Sequence, residues 1–531
     1  MTEQDRARND RAQNGTAQSD RAQNGTAQSD RAQHDTAQPE QPNRRTPVLV
    51  VGAGPVGLAV ACALWQRGVP ARIVEAQADP HQGSRAVQLH PPTLRVFREL
   101  GILDEAERLG LRIRTTSYHL AGGRTLRVAL GVENEPLMLP QQDTSRLLEE
   151  ALLRAGGRVE RSVRVTSVDL ADDGVTVKAE GPRGTEVIEA DWLVAADGVR
   201  STVRELLGVD FEGSPVATGF LLAEGRIDGA FERDAVHYFL GRRGSVVFAG
   251  MPGDRIRVSG AVPDDHPTTP EGVQRLLDER GPGGITIEDL DMVGRFTSQE
   301  RIAAALRKGR CLLAGDAAHT HSPLGGQGLN LGIQDAHNLA WKLAGVCTGA
   351  LHARVLDTYE AERRGAAEQI VRTTHRFLKV FMLGPFAARV RNTVWSSLEA
   401  TGVLRRWFVP LLAGWRVHYP DTLSGAPAGP ARSGRPRGLP APGRRAPHWA
   451  PQDQEAGPAG FRLVTTGPAG GATAVRGREW AERAPLPVGH VHVPRRASGF
   501  VLVRPDGYVA ASGATPAELA DAGRLLARIA R

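Results

Sequence analysis

Pro47-Val-Leu-Val-Val-Gly52-Ala-Gly54-Pro-Val-Gly57 is the stretch on which the fold turns, and it is followed by Leu58, Ala61, Leu64 and Trp65 at helical spacing before Gly68. A second apolar run, Val69 to Val74, then ends in Glu75. A short apolar run bounded by glycine reads as a buried strand, so the segment reads strand, tight turn, helix, strand. A lone Gly-x-Gly-x-x-Gly is a weak signal. Placed between a strand and a helix, with an acidic residue eighteen positions past Gly57, it is a dinucleotide-binding fingerprint. In that reading Gly52 makes the turn and Gly54 admits a pyrophosphate to the backbone. Gly57 allows close helix packing, and Glu75 takes ribose hydroxyls. The fold class is therefore α/β with a Rossmann-like nucleotide-binding fold.

Two later stretches repeat this logic. Trp192-Leu-Val-Ala-Ala196 reads as a buried strand that ends in Asp197-Gly198, with a helix expected after it. Cys311 to Ala314 reads likewise and leads into Gly315-Asp316-Ala-Ala-His319, then Ser322-Pro323-Leu-Gly325-Gly326-Gln327-Gly328-Leu329-Asn330. Beyond it Leu329, Ile333, Ala336, Ala340, Leu343 and Val346 fall on one helical face. A glycine-rich loop opening a helix brings backbone close to a ligand and offers unpaired N–H groups to a negative or electron-rich group. Asp316 at the strand end suits sugar hydroxyls. A metal reading of Asp316, His319 and His321 lacks further ligands and leaves the glycines unexplained.

The remainder supplies the frame. With 531 residues, 41% hydrophobic and 24% charged, the chain has room for several domains with large cores. A net charge of +7 is modest at this length and comes with no basic run interleaved with aromatics, which argues against nucleic-acid binding. Cys62, Cys311 and Cys347 are isolated, and no eighteen-residue apolar run exists, so a cytoplasmic protein without a membrane span is expected. Residues 1–45 carry a ten-residue polar repeat beginning at Asp10, Asp20 and Asp30, too poor in apolar side chains to form a core. Residues 111–130 read as a hairpin around Gly122-Gly123, Leu139-Pro140-Gln141 opens a helix, and 158–195 alternates as strands. Residues 217–263 read as a separate sheet, 270–279 as a helix, 346 to about 415 as helices and 421–460 as linker. Strands near Phe461, His490, Phe500 and Tyr508 with a helix from Pro516 make a small terminal α/β unit.

Gly52-x-Gly54-x-x-Gly57, Asp197-Gly198 and Gly315-Asp316, in that order, resemble the FAD-dependent aromatic hydroxylases of the para-hydroxybenzoate hydroxylase type over residues 46 to about 420. Ser84-Arg85-Ala, Leu139-Pro140-Gln141 and Gly325-Gly326-Gln327-Gly328-Leu329-Asn330 resemble the aromatic polyketide hydroxylase branch. The tail, with Arg445-Ala-Pro-His448 and Leu502-Val-Arg-Pro-Asp-Gly-Tyr-Val509, is similar to that branch's thioredoxin-like domain, here without Cys-x-x-Cys. The resemblance implies an FAD-binding domain at 46–215 and 290–345, a substrate-binding sheet at 216–289, a helical segment at 346–424 and a thioredoxin-like domain at 425–531.

By the same resemblance Gly52, Gly54 and Gly57 hold the FAD pyrophosphate, Glu75 the ribose, Arg85 and Gln141 the phosphate and ribityl region, and Asp316 the ribityl chain or phosphates. Asp197 lies near flavin and the nicotinamide route, while Pro323, Gly325, Gly326, Gly328, Leu329 and Asn330 line the isoalloxazine. NADPH (or NADH) then reduces FAD, O2 gives a C4a-hydroperoxide, and a phenolic or quinonoid polyketide takes the distal oxygen. Tyr238, His237 and Arg242 lie on the substrate sheet without an assigned catalytic base. The Trp-x-Trp-x-x-Pro signature of flavin halogenases is missing. Baeyer–Villiger oxygenation, epoxidation, dehydration and a flavin-bound sensor are the alternatives.

Overall fold

A computed structural model of the chain describes residues 45–80, 86–120, 123–241, 244–321, 324–381, 385–419, 423, 438–446, 460–468 and 470–531. The repeat tail, most of the 421–460 linker, Arg85, Arg242, Pro323 and His448 lie outside them.

Val48 to Val51 are buried, as strands covered on both faces must be. They belong to a sheet in the order Arg307–Lys308, Cys311–Leu313, Gly184–Ala195, Thr46–Val51, Ala71–Glu75, Val159–Arg161. All neighbours from Cys311–Leu313 onward are parallel. Helix Pro55–Trp65 packs against helices Gln327–Cys347 and Gln141–Arg154. The end of the alternating 158–195 stretch and the run from Trp192, read separately above, belong to one strand, Gly184–Ala195. The outer part pairs antiparallel with Val175–Gly181, and the inner part runs parallel to Thr46–Val51.

A second eight-stranded sheet runs His319–Thr320, Thr286–Ala303, Phe211–Asp228, Arg255–Val262, Gly244–Met251, Ala235–Gly241, Thr115–Leu120, Arg124–Ala129. It is broader than residues 216–289. The two 18-residue strands, Phe211–Asp228 and Thr286–Ala303, extend past both ends of that segment. The 111–130 hairpin also joins it, through parallel pairing of Thr115–Leu120 with Ala235–Gly241. Helix Pro270–Arg280 buries Val273, Leu276 and Leu277 in one of its cores.

The terminal unit is a four-stranded sheet ordered Val488–Pro494, Phe461–Gly467, Gly499–Val503, Val509–Gly513. Its first two strands are parallel, and between them in sequence lies helix Ala472–Glu482, which the sequence reading passed over. Thr515 and Glu518 form a capping box that starts helix Pro516–Ile529.

Helix Gln327–Cys347 departs most from expectation. One buried face was expected, yet every residue from Asn330 to Ala344 is buried. Helix Asp357–Phe381 and the terminal unit cover its polar face. Lys342 Nζ donates to Glu362 Oε2 at 2.7 Å, Thr358 Oγ1 at 2.7 Å and Asn338 Oδ1 at 2.9 Å. Arg504 from the terminal unit donates to both Glu362 oxygens, at 2.5 and 2.9 Å, and to Asp506 Oδ2 at 2.6 Å. Burial lowers the Lys342 pKa to about 8 even though Glu362 opposes it. Among the described residues no helix is long and apolar enough to cross a membrane.

Candidate active site

The three glycines of the first turn have different tasks. Gly52 has φ +100°, and a Cβ there would lie 2.5 Å from Ala196 O; at Gly57 it would lie 1.9 Å from Gly52 O. Both positions are closed by backbone. A Cβ on Gly54 would meet nothing within 4 Å, and Gly54, Pro55 and Val56 open onto a cavity. Glu75 stands at the end of its strand beside this turn. Its Oε2 accepts from Ala53 N at 2.8 Å and its Oε1 from Gln77 N at 2.9 Å, so the carboxylate holds the loop.

The second glycine loop is held from behind. Gly315, at φ +61°, donates its N–H to Asp335 Oδ2 at 2.9 Å. His319 Nε2 is 2.7 Å from the same oxygen, and Arg363 Nε donates to Asp335 Oδ1 at 2.6 Å. Burial alone would raise the Asp335 pKa; His319, Arg363 and the Gly315 amide bring it down to about 2. His319 is therefore committed to Asp335, and no group of three metal-capable side chains occurs among the described residues. Gly325 and Gly326 take left-handed conformations, φ +78° and +61°, and deliver the chain into helix Gln327–Cys347. Asp316, Gly325, Gly326, Gly328 and Leu329 line the cavity opened by Gly54, as does Gln141 at the start of its helix.

Two expected positions also brace the loops through their side chains. The Asn330 side chain is fully buried behind the loop and is not among the residues lining the cavity. Its Nδ2 donates to Gln88 O and Gly326 O, both at 2.7 Å, and its Oδ1 accepts from His90 N at 2.7 Å. It ties the loop to the segment beside it. The Asp197 carboxylate accepts from Ser201 Oγ at 2.5 Å and Val203 N at 3.0 Å, satisfying the start of helix Thr202–Leu206. Its neighbours Ala196 and Gly198 line the cavity. Arg85 and Pro323 lie outside the described residues.

The cavity measures about 1360 Å³ and lies between these loops and one face of the second sheet. Phe220, Leu222, Val236, Tyr238, Val247 and Phe296 project into it, the alternate residues of their strands. Burial pushes the Tyr238 phenol up to about 12, which keeps it a neutral donor near pH 7. His237 points elsewhere, to Glu232 O at 2.9 Å and His119 at 3.0 Å. The sequence reading missed Arg257, which lines the cavity and pairs with Glu224 at 2.7 Å. The signal was present: Ile256 and Val258 alternate with Arg257 and Ser259.

A glycine cradle open at Gly54 and two loops at helix starts suit a phosphate-bearing, electron-rich cofactor. Comparison with known proteins agrees. Residues 45–374 match the family described as FAD binding domain. The chain is 33% identical over 509 residues to 6-methylpretetramide 4-monooxygenase of Streptomyces rimosus, covering 88% of this chain and 90% of that protein. It resembles the solved OxyS anhydrotetracycline hydroxylase of the same organism, with 30% identity, TM-score 0.70, and coverage of 92% here and 100% there. The Diels-Alderase PyrE3 of pyrroindomycin biosynthesis is also similar, at 27% identity and TM-score 0.66, covering 89% of this chain and 98% of that one.

Proposed function

The chain belongs to the FAD-binding domain family, and from that premise we propose that it is a monooxygenase hydroxylating a polycyclic aromatic polyketide with reduced nicotinamide and O2, in antibiotic biosynthesis. The observation that carries this reading is the single cavity shared by the glycine loops and the apolar sheet face. At about 1360 Å³ the cavity has room for a flat apolar polycycle beside a flavin. The relatives named for tetracycline-type substrates support the same substrate class.

When bound, FAD supplies hydride acceptance and activation of O2 for transfer of one oxygen atom. The protein's part is to bind, orient and exclude water. The open backbone at Gly54 and the helix start behind it suit the pyrophosphate, with Glu75 near the ribose. Asp316 and Gln141 suit the sugar-alcohol chain, and the N–H groups at the start of helix Gln327–Cys347 suit the electron-rich edge of the ring system. Asp197 and Asn330 also brace these loops through their side chains. Phe220, Phe296 and Tyr238 keep the polycycle in a water-poor face.

The test is turnover by FAD-loaded protein with NADPH, or NADH, and a panel of aromatic polyketides under heavy-isotope O2. One labelled oxygen in the product is expected. An altered but unlabelled product would overturn the reading in favour of elimination or cycloaddition, the chemistry named for the similar PyrE3.

A further inference from the structure

Strand register arranges the cavity face of the second sheet in rows. Val236 lies opposite Ala249, Ala249 opposite Arg257, and Arg257 opposite Glu224. The next row is Tyr238, Val247, Ser259 and Leu222. Apart from the Ser259 and Tyr238 hydroxyls, these rows are apolar except at the Arg257–Glu224 corner. Arg257 lines the cavity with its side chain only 11% exposed, and Glu224 stands behind it at 15%. An ion pair so buried contributes little net stability, because desolvation offsets most of the attraction. An arginine in an apolar wall is instead suited to a short-range oxygen anion.

The row also has a direction. Val236 lines a small neighbouring pocket with Gln88, His90 and Gly325, so that end adjoins the glycine loop. Arg257 lies two strands away, about 10 Å at ordinary strand spacing. That is the scale of a few linearly fused rings. A polycycle laid along the row would have one end at the flavin loop and the other at Arg257.

We propose that Arg257, oriented by Glu224, is a specificity-determining residue that binds an acidic enol or phenol oxygen on the ring of the substrate farthest from the flavin loop. The inference rests on the monooxygenase reading of the cavity. It selects, within aromatic polyketides, those with an ionisable oxygen at the far end. Burial disfavours the guanidinium's charge, with Glu224 opposing, and burial likewise raises the Glu224 carboxyl. An anionic oxygen delivered by the substrate strengthens the cation's position. Glu224 is a positioning residue.

The test uses full-length, FAD-loaded protein with alizarin, a dihydroxyanthraquinone, and its methyl ether at the acidic hydroxyl. Affinity is read by isothermal titration calorimetry across a pH series that ionises this hydroxyl. Wild type is expected to prefer alizarin by about tenfold or more once the hydroxyl is ionised, as for a charge-assisted hydrogen bond. Arg257→Gln is expected to bring the ratio near one and flatten its pH dependence. Arg257→Lys keeps the charge and is expected to retain part of the preference, which guards against a folding defect in the first variant. Glu224→Gln is expected to weaken alizarin binding while leaving its pH dependence in place. An equal preference in Arg257→Gln and wild type would overturn the inference. If wild type still incorporates labelled oxygen, the monooxygenase reading survives that result; if it never does, both fall.

Discussion

Asp335 Oδ2 lies 2.7 Å from His319 Nε2, and the same oxygen accepts the Gly315 N–H at 2.9 Å. One buried carboxylate on helix Gln327–Cys347 thus anchors both ends of the turn that presents Asp316, and Arg363 secures its other oxygen.

Asp335→Ala is expected to leave Arg363 buried without its carboxylate, at about 3–5 kcal/mol, the usual cost of removing one partner of a buried pair. A lowered thermal midpoint with weakened FAD retention checks this. The carboxyl's pKa falls from 3.8 to about 2 on folding. A depressed acidic pKa contributes stability above the unfolded value, and that contribution is lost as pH falls from near 4 through about 2. Acid titration of wild type should show this loss, and Asp335→Asn should lack it.

Gly54 and Gly57 should separate ligand binding from folding. Gly54→Ala places a methyl in open space, so the stability of FAD-free protein is expected to stay within about 1 kcal/mol of wild type while FAD affinity falls. Gly57→Ala drives a methyl to 1.9 Å from Gly52 O and is expected to destabilise the FAD-free protein itself. Calorimetry of both variants without FAD, followed by FAD titration, reads the two effects. Equal losses of fold stability would sink the distinction.

How legible was this in the sequence? The nucleotide turn was legible because its strand, glycines and acidic residue all lie between Pro47 and Glu75, and short-range pattern suffices there. Helix Gln327–Cys347 was legible as a helix, but its burial on every side was not. Asn338 and Lys342 look like a solvated face, and only partners far along the chain, Glu362, Arg504 and Asp506, make that face an interior. Asn330 and Asp197 were legible as important, but the hydrogen bonds their side chains make to the loops were not. A side chain hydrogen-bonded to the loop and one hydrogen-bonded to ligand look alike until the partners, Gly326 O or Val203 N, are known. Alternation with Ile256 and Val258 set Arg257 on the opposite face of its strand, but its place in the cavity wall was not legible, because its neighbours in the row come from other strands.

Asn330→Ala tests the loop tie. Loss of the bonds to Gly326 O, Gln88 O and His90 N leaves backbone groups to find new partners, at about 1–3 kcal/mol for each that stays buried and unsatisfied. Reduced FAD affinity is expected, with increased hydrogen exchange at residues 325–328. Unchanged exchange there would mean that the loop holds its shape without the asparagine.

Glu362→Gln tests the seam between the helix and the terminal unit. It leaves Lys342 and Arg504 buried with no carboxylate on helix Asp357–Phe381 to share, so a loss of about 3–5 kcal/mol at neutral pH and faster proteolysis of residues 460–531 are expected. The pH dependence identifies the cause. Lys342 already has its pKa lowered from 10.5 to about 8, so its charge is less favourable folded than unfolded. That penalty is complete below the folded value and fades as pH rises toward 10.5. Removing the Glu362 charge lowers the folded value further and enlarges the penalty. The variant's deficit against wild type should therefore shrink from pH 7 to pH 10, as Lys342 discharges in the folded protein. A deficit independent of pH across that range would assign the loss to Arg504 alone. Comparing urea midpoints of the two proteins at both pH values decides between them.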